Sequence, residues 1–232
     1  DNNDRPGILL SSAIKKYSDY YGVVCGKENI LFTNNDSAYE TAISLFNKGI
    51  KINAIIDIRE KVNSEITNHA EKIGIKIYNS YTIVDTFGYR RIKEVSIMKL
   101  SKDGQSVTGS KVKIKCDCLG ISGGWTPAVH LFTQSGGKLK FDNEDNVFIP
   151  SKYPSDQISI GSCNGEFDLN TIIKNFNQNI KNFLGIDKTS FEDLKINSTK
   201  EILKRNIWLL PSDKVIGKCK PFVDFQNDAT AK

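Results

Sequence analysis

The chain has 232 residues, of which 39% are hydrophobic and 25% charged, which suffices for one large or two small domains with an apolar core. Its net charge of +5 comes from lysines scattered along the sequence, so the charge does not indicate nucleic acid as a partner. No apolar run approaches the about 20 residues of a bilayer-spanning helix, which indicates a soluble protein with no membrane partner.

The first residues, from Asp1 to Pro6, include no initiator Met and no apolar stretch of the kind that a secretion signal requires. We therefore expect the chain to be a segment of a longer polypeptide.

The first half of the chain alternates between helical and strand patterns. A helix is predicted over residues 9–20, with Gly22 as its end. A short apolar strand follows, and the alternation then continues to residue 78. The predicted elements are a strand at 29–32, a helix at 38–48, a strand at 52–57, a helix at 62–73 and a strand at 74–78. This order predicts a βαβαβ arrangement with a parallel sheet.

The second half begins with a period of two over residues 81–115, which predicts an antiparallel meander. Further strands are expected from residue 119 and at 158–162, and an amphipathic helix at 169–183. From residue 187 we expect one helical stretch near 199–204 and an extended end. The fold class is thus α/β, a Rossmann-like parallel sheet with an antiparallel meander, as in flavoprotein reductases with two dinucleotide domains.

The turn after the first apolar strand is the first candidate site, because ligands of open α/β sheets bind outside the carboxyl ends of the strands. Glycines normally let the backbone approach a pyrophosphate there, but this turn contains Asn34, Asn35, Asp36 and Ser37. We expect these side chains to reduce phosphate affinity. The alternative role for Asp36 or Ser37 is to cap the helix that follows.

Asp57 ends the next strand, where the acidic residue that binds the ribose hydroxyls normally lies. A carboxylate there favours NAD over NADP, although Arg59 complicates the preference. The alternative is that Asp57 only caps the following turn.

The histidines and cysteines give no catalytic or metal-binding pattern. His69 and His130 lack a neighbouring nucleophile or carboxylate pattern and are expected to be structural or exposed. The five cysteines form no disulfide framework or zinc motif, so a reducing, cytoplasmic setting fits best. Cys116 and Cys118 alternate as on a strand and are expected to share one face, and Cys163 is expected to be an inert thiol.

Several stretches, spread in order over nearly the whole chain, resemble the alpha subunit of heterotetrameric sarcosine oxidase. They are residues 5–13 (RPGILLSSA), 32–39 (FTNNDSAY), 122–127 (SGGWTP), 130–131 (HL), Gln134, 137–139 (GKL) and 222–228 (FVDFQND). The order and spread of these stretches make the resemblance far stronger than any one of them.

This resemblance implies a flavoenzyme complex that oxidises sarcosine to glycine and reduces oxygen to peroxide. The family complex carries NAD in the alpha subunit together with FAD and FMN, and its partners are the beta, gamma and delta subunits. A folate-binding domain for tetrahydrofolate would follow Lys232. Residues 1–22 would then connect from the first dinucleotide domain, 23–118 would form an inserted pyridine-nucleotide-type domain, 119–186 would return to the first domain, and 187–232 would be a linker.

The resemblance also implies which residues contact a dinucleotide held by the first domain. They are Gly123, Gly124 and Trp125 in one turn, and Gly161, Ser162, Asn164 and Gly165 in another. Related reductases have an Asp after the glycine that corresponds to Gly161, where it holds the ribityl chain of FAD, so Ser162 favours a dinucleotide other than FAD. The alternatives are a plain tight turn for the glycines and Asn164, and a core aromatic for Trp125.

Two alternatives to a sarcosine oxidase segment stay open. One is a subunit of a related amine, opine or proline dehydrogenase. The other is a nucleotide-free scaffold whose altered turn binds nothing and which serves only subunit assembly.

Overall fold

The structure is a computed structural model that describes residues 2–154, 156–185, 205–207, 209–214, 222–224 and 229–230. The chain divides into two compact units. The first unit consists of Asp1–Gly124 and Leu203–Lys232, and the second is Trp125–Ile202.

The first unit is built on a parallel sheet of five strands: β1 (Ile8–Leu10), β2 (Asn29–Thr33), β3 (Ile52–Asp57), β4 (Ile77–Asn79) and β8 (Cys118–Ser122). Their spatial order is β1-β8-β2-β3-β4. The inner strands β8, β2 and β3 contain buried apolar residues, as expected where both faces of a sheet are covered.

Three helices connect the first four of these strands: α1 (Ser11–Tyr21), α2 (Ser37–Asn47) and α3 (Glu65–Lys72). Gly22 ends α1 in the left-handed conformation, at φ 64°, which glycine adopts without steric cost. Within the described residues, no helix has the length and apolar character that crossing a membrane requires.

An antiparallel meander covers one face of the parallel sheet, and helices cover the opposite face. It consists of β5 (Tyr81–Phe87), β6 (Glu94–Leu100) and β7 (Val107–Lys115) in that spatial order. Ile30, Ile56 and Leu119 of the parallel sheet pack against Val95 and Ile97 of β6. Leu31 and Ile55 point to the opposite face and pack against α2 and the region of α3. The first unit therefore has three layers: helices, parallel sheet and meander.

The second unit contains a short helix α4 (His130–Gln134), a hairpin of β9 (Lys138–Asp142) and β10 (Val147–Lys152), and a long helix α5 (Leu169–Leu184). Phe132 of α4 stacks edge to face on Tyr153, with ring centroids 5.0 Å apart. A Cβ at Gly137 would lie 2.4 Å from the Phe132 ring, so only glycine fits at this turn.

A two-stranded pair, β11 (Phe222–Asp224) and β12 (Ala229–Thr230), belongs to the first unit.

The predicted fold class is confirmed, with a parallel sheet and an antiparallel meander at the expected positions. The first helix begins two residues later than predicted, because Ile8–Leu10 forms the edge strand β1. The predicted strand at 158–162 is wrong: Gly161 has φ +82° and begins a short 3-10 helix, Gly161–Asn164. The β9–β10 hairpin was not predicted, and the expected helical stretch near 199–204 lies outside the described residues.

The strands β1 and β8 share one sheet with β2 and β3, although the resemblance assigns residues 1–22 and 119–186 to another domain than 23–118. The division between the two compact units falls after Gly124. The assignment of these segments to a reductase-like domain scheme stays a prediction.

A close approach at Gly120 of β8 gives a test of the packing between the sheet and its helices. A Cβ there would lie 2.4 Å from Leu31 Cδ2 and 2.9 Å from Ile14 Cδ1. Gly120→Ala should therefore lower the free energy of unfolding by about 1–3 kcal/mol, measured by urea denaturation. The control is Gly123→Ala, where nothing lies within 4 Å of the added atom. Equal effects of the two substitutions would contradict this account.

Candidate site at the carboxyl edge of the parallel sheet

The carboxyl ends of three neighbouring strands bring the predicted turn residues together. In the register of the sheet, Thr33 at the end of β2 pairs with Asp57 of β3 on one side and Ser122 of β8 on the other. Asn34 and Asn35 follow Thr33 directly and are buried. The structure thus places Asn34, Asn35 and Asp57 at the same edge, where ligands of such sheets bind.

The backbone N–H groups of the turn are used within the chain. Asn34 N donates to Ser122 O at 3.2 Å, and Asn35 N donates to Thr33 Oγ1 at 3.1 Å. Ser37 N, at the start of α2, donates to Asn35 Oδ1 at 2.9 Å. These are groups that would cradle a diphosphate in a glycine-rich turn. Their hydrogen-bonding capacity is already satisfied by neighbouring oxygen atoms.

Asn35 is the residue that caps α2. Its Oδ1 accepts from both the backbone N and the Oγ of Ser37, while its Nδ2 donates to Ser122 Oγ at 3.2 Å. The hydroxyl groups of Ser37 and Ser122 lie 2.9 Å apart. Asp36, by contrast, makes no capping hydrogen bond with its side chain. The capping role considered for Asp36 or Ser37 therefore belongs to Asn35.

Arg59 forms ion pairs with two buried carboxylates at this edge. Its Nη2 lies 2.7 Å from Asp57 Oδ2, and its Nη1 lies 2.8 Å from Asp36 Oδ1. Asp57 is 0% exposed and also accepts from Tyr39 OH at 2.8 Å and from Arg59 N at 2.9 Å. Asp57 caps the turn that follows it, and both of its oxygens are occupied by protein groups.

The electrostatics of this cluster keep Arg59 charged and Tyr39 neutral. Burial lowers the pKa of Arg59, but the hydrogen bonds and charges of Asp57 and Asp36 outweigh it, so the net shift is upward. Burial, followed by the charge of Asp57, raises the pKa of the Tyr39 hydroxyl. The hydroxyl therefore retains its proton and donates a hydrogen bond to Asp57.

Arg205, from far along the chain, lies across the same edge of the first unit. Its backbone N donates to Asn34 O at 3.0 Å, and its backbone O accepts from Asn34 Nδ2 at 3.1 Å. Its guanidinium donates to Ile58 O and to Lys102 O, each at 3.0 Å. The turn after β2 and the turn after β3 are thus both bound by one residue.

A dinucleotide diphosphate does not fit this edge as the residues stand. The N–H groups that it needs are bonded to Thr33, Asn35 and Ser122, and Asp36 adds a negative charge. The carboxylate that would hold a ribose is already shared between Arg59 and Tyr39.

The other predicted dinucleotide contacts fall into two places. Gly123 and Gly124 follow β8 in the first unit, where Gly123 O accepts from Asn34 Nδ2 at 3.0 Å. Trp125 is 49% exposed, so it is not a core aromatic of the described chain.

In the second unit, Gly161 and Ser162 lie in the short 3-10 helix with Asn164, and Gly165 ends it at φ +85°. A Cβ at Gly165 would lie 3.0 Å from Ile149 Cγ2. Asn164 Oδ1 accepts from Tyr153 OH at 3.0 Å, whereas Ser162 is exposed. The segment is a turn with a structural role for Gly165, and its predicted contact with a dinucleotide stays a prediction.

The N-terminus of α5 is capped by an acidic side chain. Asp168 Oδ2 accepts there from the backbone N of Thr171 at 2.8 Å and from Thr171 Oγ1 at 2.7 Å. The carboxylate of Asp168 thus already provides the negative charge that a helix N-terminus favours.

The two histidines, His69 and His130, are exposed, as expected. Among the described residues, no group of three or more His, Cys, Asp or Glu side chains could hold a metal ion.

Cys116 and Cys118 do not share a face, contrary to the prediction. The chain bends at Asp117 before β8 begins, so Cys116 packs on the meander side and Cys118 on the helix side. Burial raises the pKa of each thiol to about 12, which disfavours the thiolate that redox chemistry requires.

Sequence reasoning located the turn but missed several of its partners. Nothing in the sequence marks Tyr39 or Ser122 apart from their positions, in the first turn of α2 and at the end of β8. Arg59 is marked by its place two residues after Asp57, and it is 4% exposed. Arg205 is 171 residues from Asn34 and has no local signal.

The chain aligns along nearly its whole length with curated relatives. It is 30% identical over 241 residues to "Sarcosine oxidase subunit alpha" of Corynebacterium sp. (strain P-1), covering 99% of this chain and 24% of the relative. The subunit of Rhizobium meliloti (strain 1021) is 28% identical over 240 residues, 99% of this chain and 22% of the relative. The predicted family resemblance is confirmed. The chain spans about a quarter of the length of these relatives, and no protein-family model matches it.

Solved structures share the fold at low sequence identity. The L-proline dehydrogenase from P. horikoshii has a TM-score of 0.52 at 17% identity, covering 82% of this chain and 32% of that one. The flavoprotein disulfide reductase RclA from Escherichia coli has a TM-score of 0.53 at 13% identity, covering 78% and 39%. The FprA oxidoreductase of Mycobacterium tuberculosis reaches 0.50 at 13% identity, covering 83% and 63%. The fold is therefore one that occurs in flavoprotein oxidoreductases.

The buried ion cluster gives a test of the site. Arg59→Ala leaves Asp57 and Asp36 buried without their cation, so the free energy of unfolding should fall by about 3–5 kcal/mol at neutral pH. Acidification should reduce the difference in free energy of unfolding between Arg59→Ala and the unmodified chain, because protonation of a carboxyl group that has lost its cation removes a buried charge.

The matched control is Lys61→Ala, which breaks the exposed ion pair of Lys61 with Glu71. It should change the free energy of unfolding by less than about 1 kcal/mol. Comparable effects of the two substitutions in chemical denaturation would show that Arg59 does not stabilise the edge.

Proposed function

We propose that the chain is a segment of an alpha-type subunit in an oxidase complex that converts sarcosine to glycine with oxygen as the acceptor. The observation that carries this proposal is the alignment of 99% of the chain with sarcosine oxidase alpha subunits at 28–30% identity. The complex would contain NAD in this subunit, FAD and FMN elsewhere, tetrahydrofolate in a further domain, and beta, gamma and delta subunits as partners. Because its described cysteines are free thiols, we place the complex in the cytoplasm.

Within that complex, we propose that the carboxyl edge of the first unit does not hold the dinucleotide. Its turn donors are satisfied by Thr33, Asn35 and Ser122, and Asp57 is neutralised by Arg59. NAD contacts are instead assigned to the predicted residues after β8, Gly123 to Trp125, and to Gly161 and Ser162. This assignment follows the domain division predicted from the resemblance, in which residues 119–186 belong to the first dinucleotide-binding domain.

The second candidate function is a nucleotide-free scaffold for subunit assembly. It is favoured by the same closed edge, since a unit whose ligand-binding edge is filled by its own side chains can still fold and present surfaces. The two candidates differ in whether the full subunit binds NAD at all.

The catalytic proposal is tested with the full subunit coexpressed with its partner subunits. We expect sarcosine-dependent peroxide formation by the complex, and none by the 232-residue chain supplied with flavin, because the sequence locates neither a flavin-binding half nor a general base for amine oxidation in this chain. Peroxide formed from proline or another secondary amine, but not from sarcosine, would assign the complex to a related dehydrogenase or oxidase. Activity of the chain alone would contradict the proposal.

The placement of NAD is tested by titration calorimetry on the full subunit. Ser162→Asp should weaken NAD binding by about tenfold or more, because a carboxylate repels the diphosphate or alters the ribose contacts. The control is a variant with Asn34→Gly and Asn35→Gly, which should change NAD affinity little. Loss of NAD in the control but not in Ser162→Asp would place NAD at the Thr33 turn instead. No NAD binding by the unmodified subunit would favour the scaffold.

A further inference from the structure

One segment of the chain contacts the carboxyl edge of the parallel sheet, where a Rossmann-like unit holds its ligand. This segment, which we call the strap, consists of residues 205–207 and 209–214 and belongs to the first unit. Arg205 is its contact with the carboxyl edge. Its backbone forms hydrogen bonds with Asn34 after β2, and its guanidinium donates a hydrogen bond to Ile58 O after β3. The crevice between the ends of these two strands is therefore spanned by one residue.

The side chain of Asn34 is what makes this contact possible. Its Nδ2 donates both to Gly123 O at 3.0 Å and to Arg205 O at 3.1 Å, so it joins the end of β8 to the strap. Asn34 Oδ1 accepts from Asn35 Nδ2 at 2.7 Å, which fixes the orientation of the amide. A glycine at this position, as in a nucleotide-binding turn, offers none of these bonds. The residue that obstructs a diphosphate is thus the residue that binds the strap.

Three further contacts hold the strap to the meander. Arg205 donates to Lys102 O, and Gly104, at φ +73°, leaves room for it: an added Cβ would lie 3.0 Å from Arg205 Nη2 and 3.1 Å from Ile207 Cδ1. Asp213 pairs with Lys111 of β7 at 2.6 Å, and Lys214 pairs with the buried Asp85 of β5 at 2.7 Å.

We propose that the strap is an intramolecular ligand of the carboxyl edge. It takes the position of a dinucleotide diphosphate, with a guanidinium and a peptide group in place of the phosphates, so that this unit recognises its own chain and excludes a nucleotide. The inference does not depend on the substrate of the proposed complex.

The test uses the whole chain with a site-specific protease sequence inserted after Asn197. After cleavage, the piece that contains the strap remains attached only through non-covalent contacts. We expect the two pieces to coelute, and Arg205→Ala to weaken their association by about 10- to 100-fold, because two charge-assisted hydrogen bonds are lost. The matched control, Arg90→Ala, removes an exposed arginine from the turn between β5 and β6 and should leave the association unchanged.

Two further measurements keep the result decisive. Arg205→Lys retains the charge but not the planar fork, so its cleaved pieces should associate more weakly than those of the unmodified chain and more tightly than those of Arg205→Ala. If the alanine variant does not fold, the comparison of Arg205→Lys with the unmodified chain remains. Millimolar NAD should not release the cleaved piece, and NAD affinity should be the same for the Arg205→Lys variant and the unmodified chain, because the turn donors remain satisfied by Thr33, Asn35 and Ser122. Spontaneous separation of the cleaved pieces, equal effects of Arg205→Ala and Arg90→Ala, or release of the piece by NAD would each overturn the proposal.

Discussion

The edge of the sheet depends on one buried cation. Arg59 lies between Asp57, the last residue of β3, and Asp36, which precedes α2, and it connects the end of β3 to the start of α2. Without it, two carboxylates would be buried side by side with only hydrogen bonds from neutral groups to stabilise them. The same cation explains why Asp57 is unavailable to a ribose, since its oxygens also accept from the backbone of Arg59 and from Tyr39.

A glycine-rich turn and this turn meet the same requirement in different ways. Backbone N–H groups at the start of a helix need acceptors, and in a nucleotide-binding protein the phosphate oxygens supply them. Here Asn35 Oδ1, Thr33 Oγ1 and Ser122 O accept from the backbone of the turn. The edge therefore needs no ligand to satisfy its polar groups, and Arg205 adds a second set of contacts on top of them.

Much of the fold was predictable because its signals are local. The strands β2 and β3 are short apolar runs, and the meander shows a period of two, so both were found with bounds close to those observed. β1 was missed because three apolar residues running into a helix look like the start of that helix. The strand expected at 158–162 failed because its alternation ends in a glycine whose positive φ turns the chain.

The site was predictable in place but not in content. The order of strands and helices is enough to put Thr33, Asp57 and the turn residues at one edge. What fills that edge depends on contacts over large sequence separations, such as those of Ser122 with Asn35 and of Arg205 with Asn34. Such contacts follow from the three-dimensional arrangement of the sheet, and no spacing in the sequence reports them.

The two outer strands of the parallel sheet also constrain how other proteins can contact this sheet. In the described chain, β1 and β4 form the edges of that sheet, and each is three residues long. So short an edge offers few free backbone groups in a row, which disfavours strand addition from another polypeptide. The faces are covered by helices on one side and the meander on the other. A subunit that contacts the parallel sheet would therefore do so through side chains, so it could separate without disrupting the strands of that sheet.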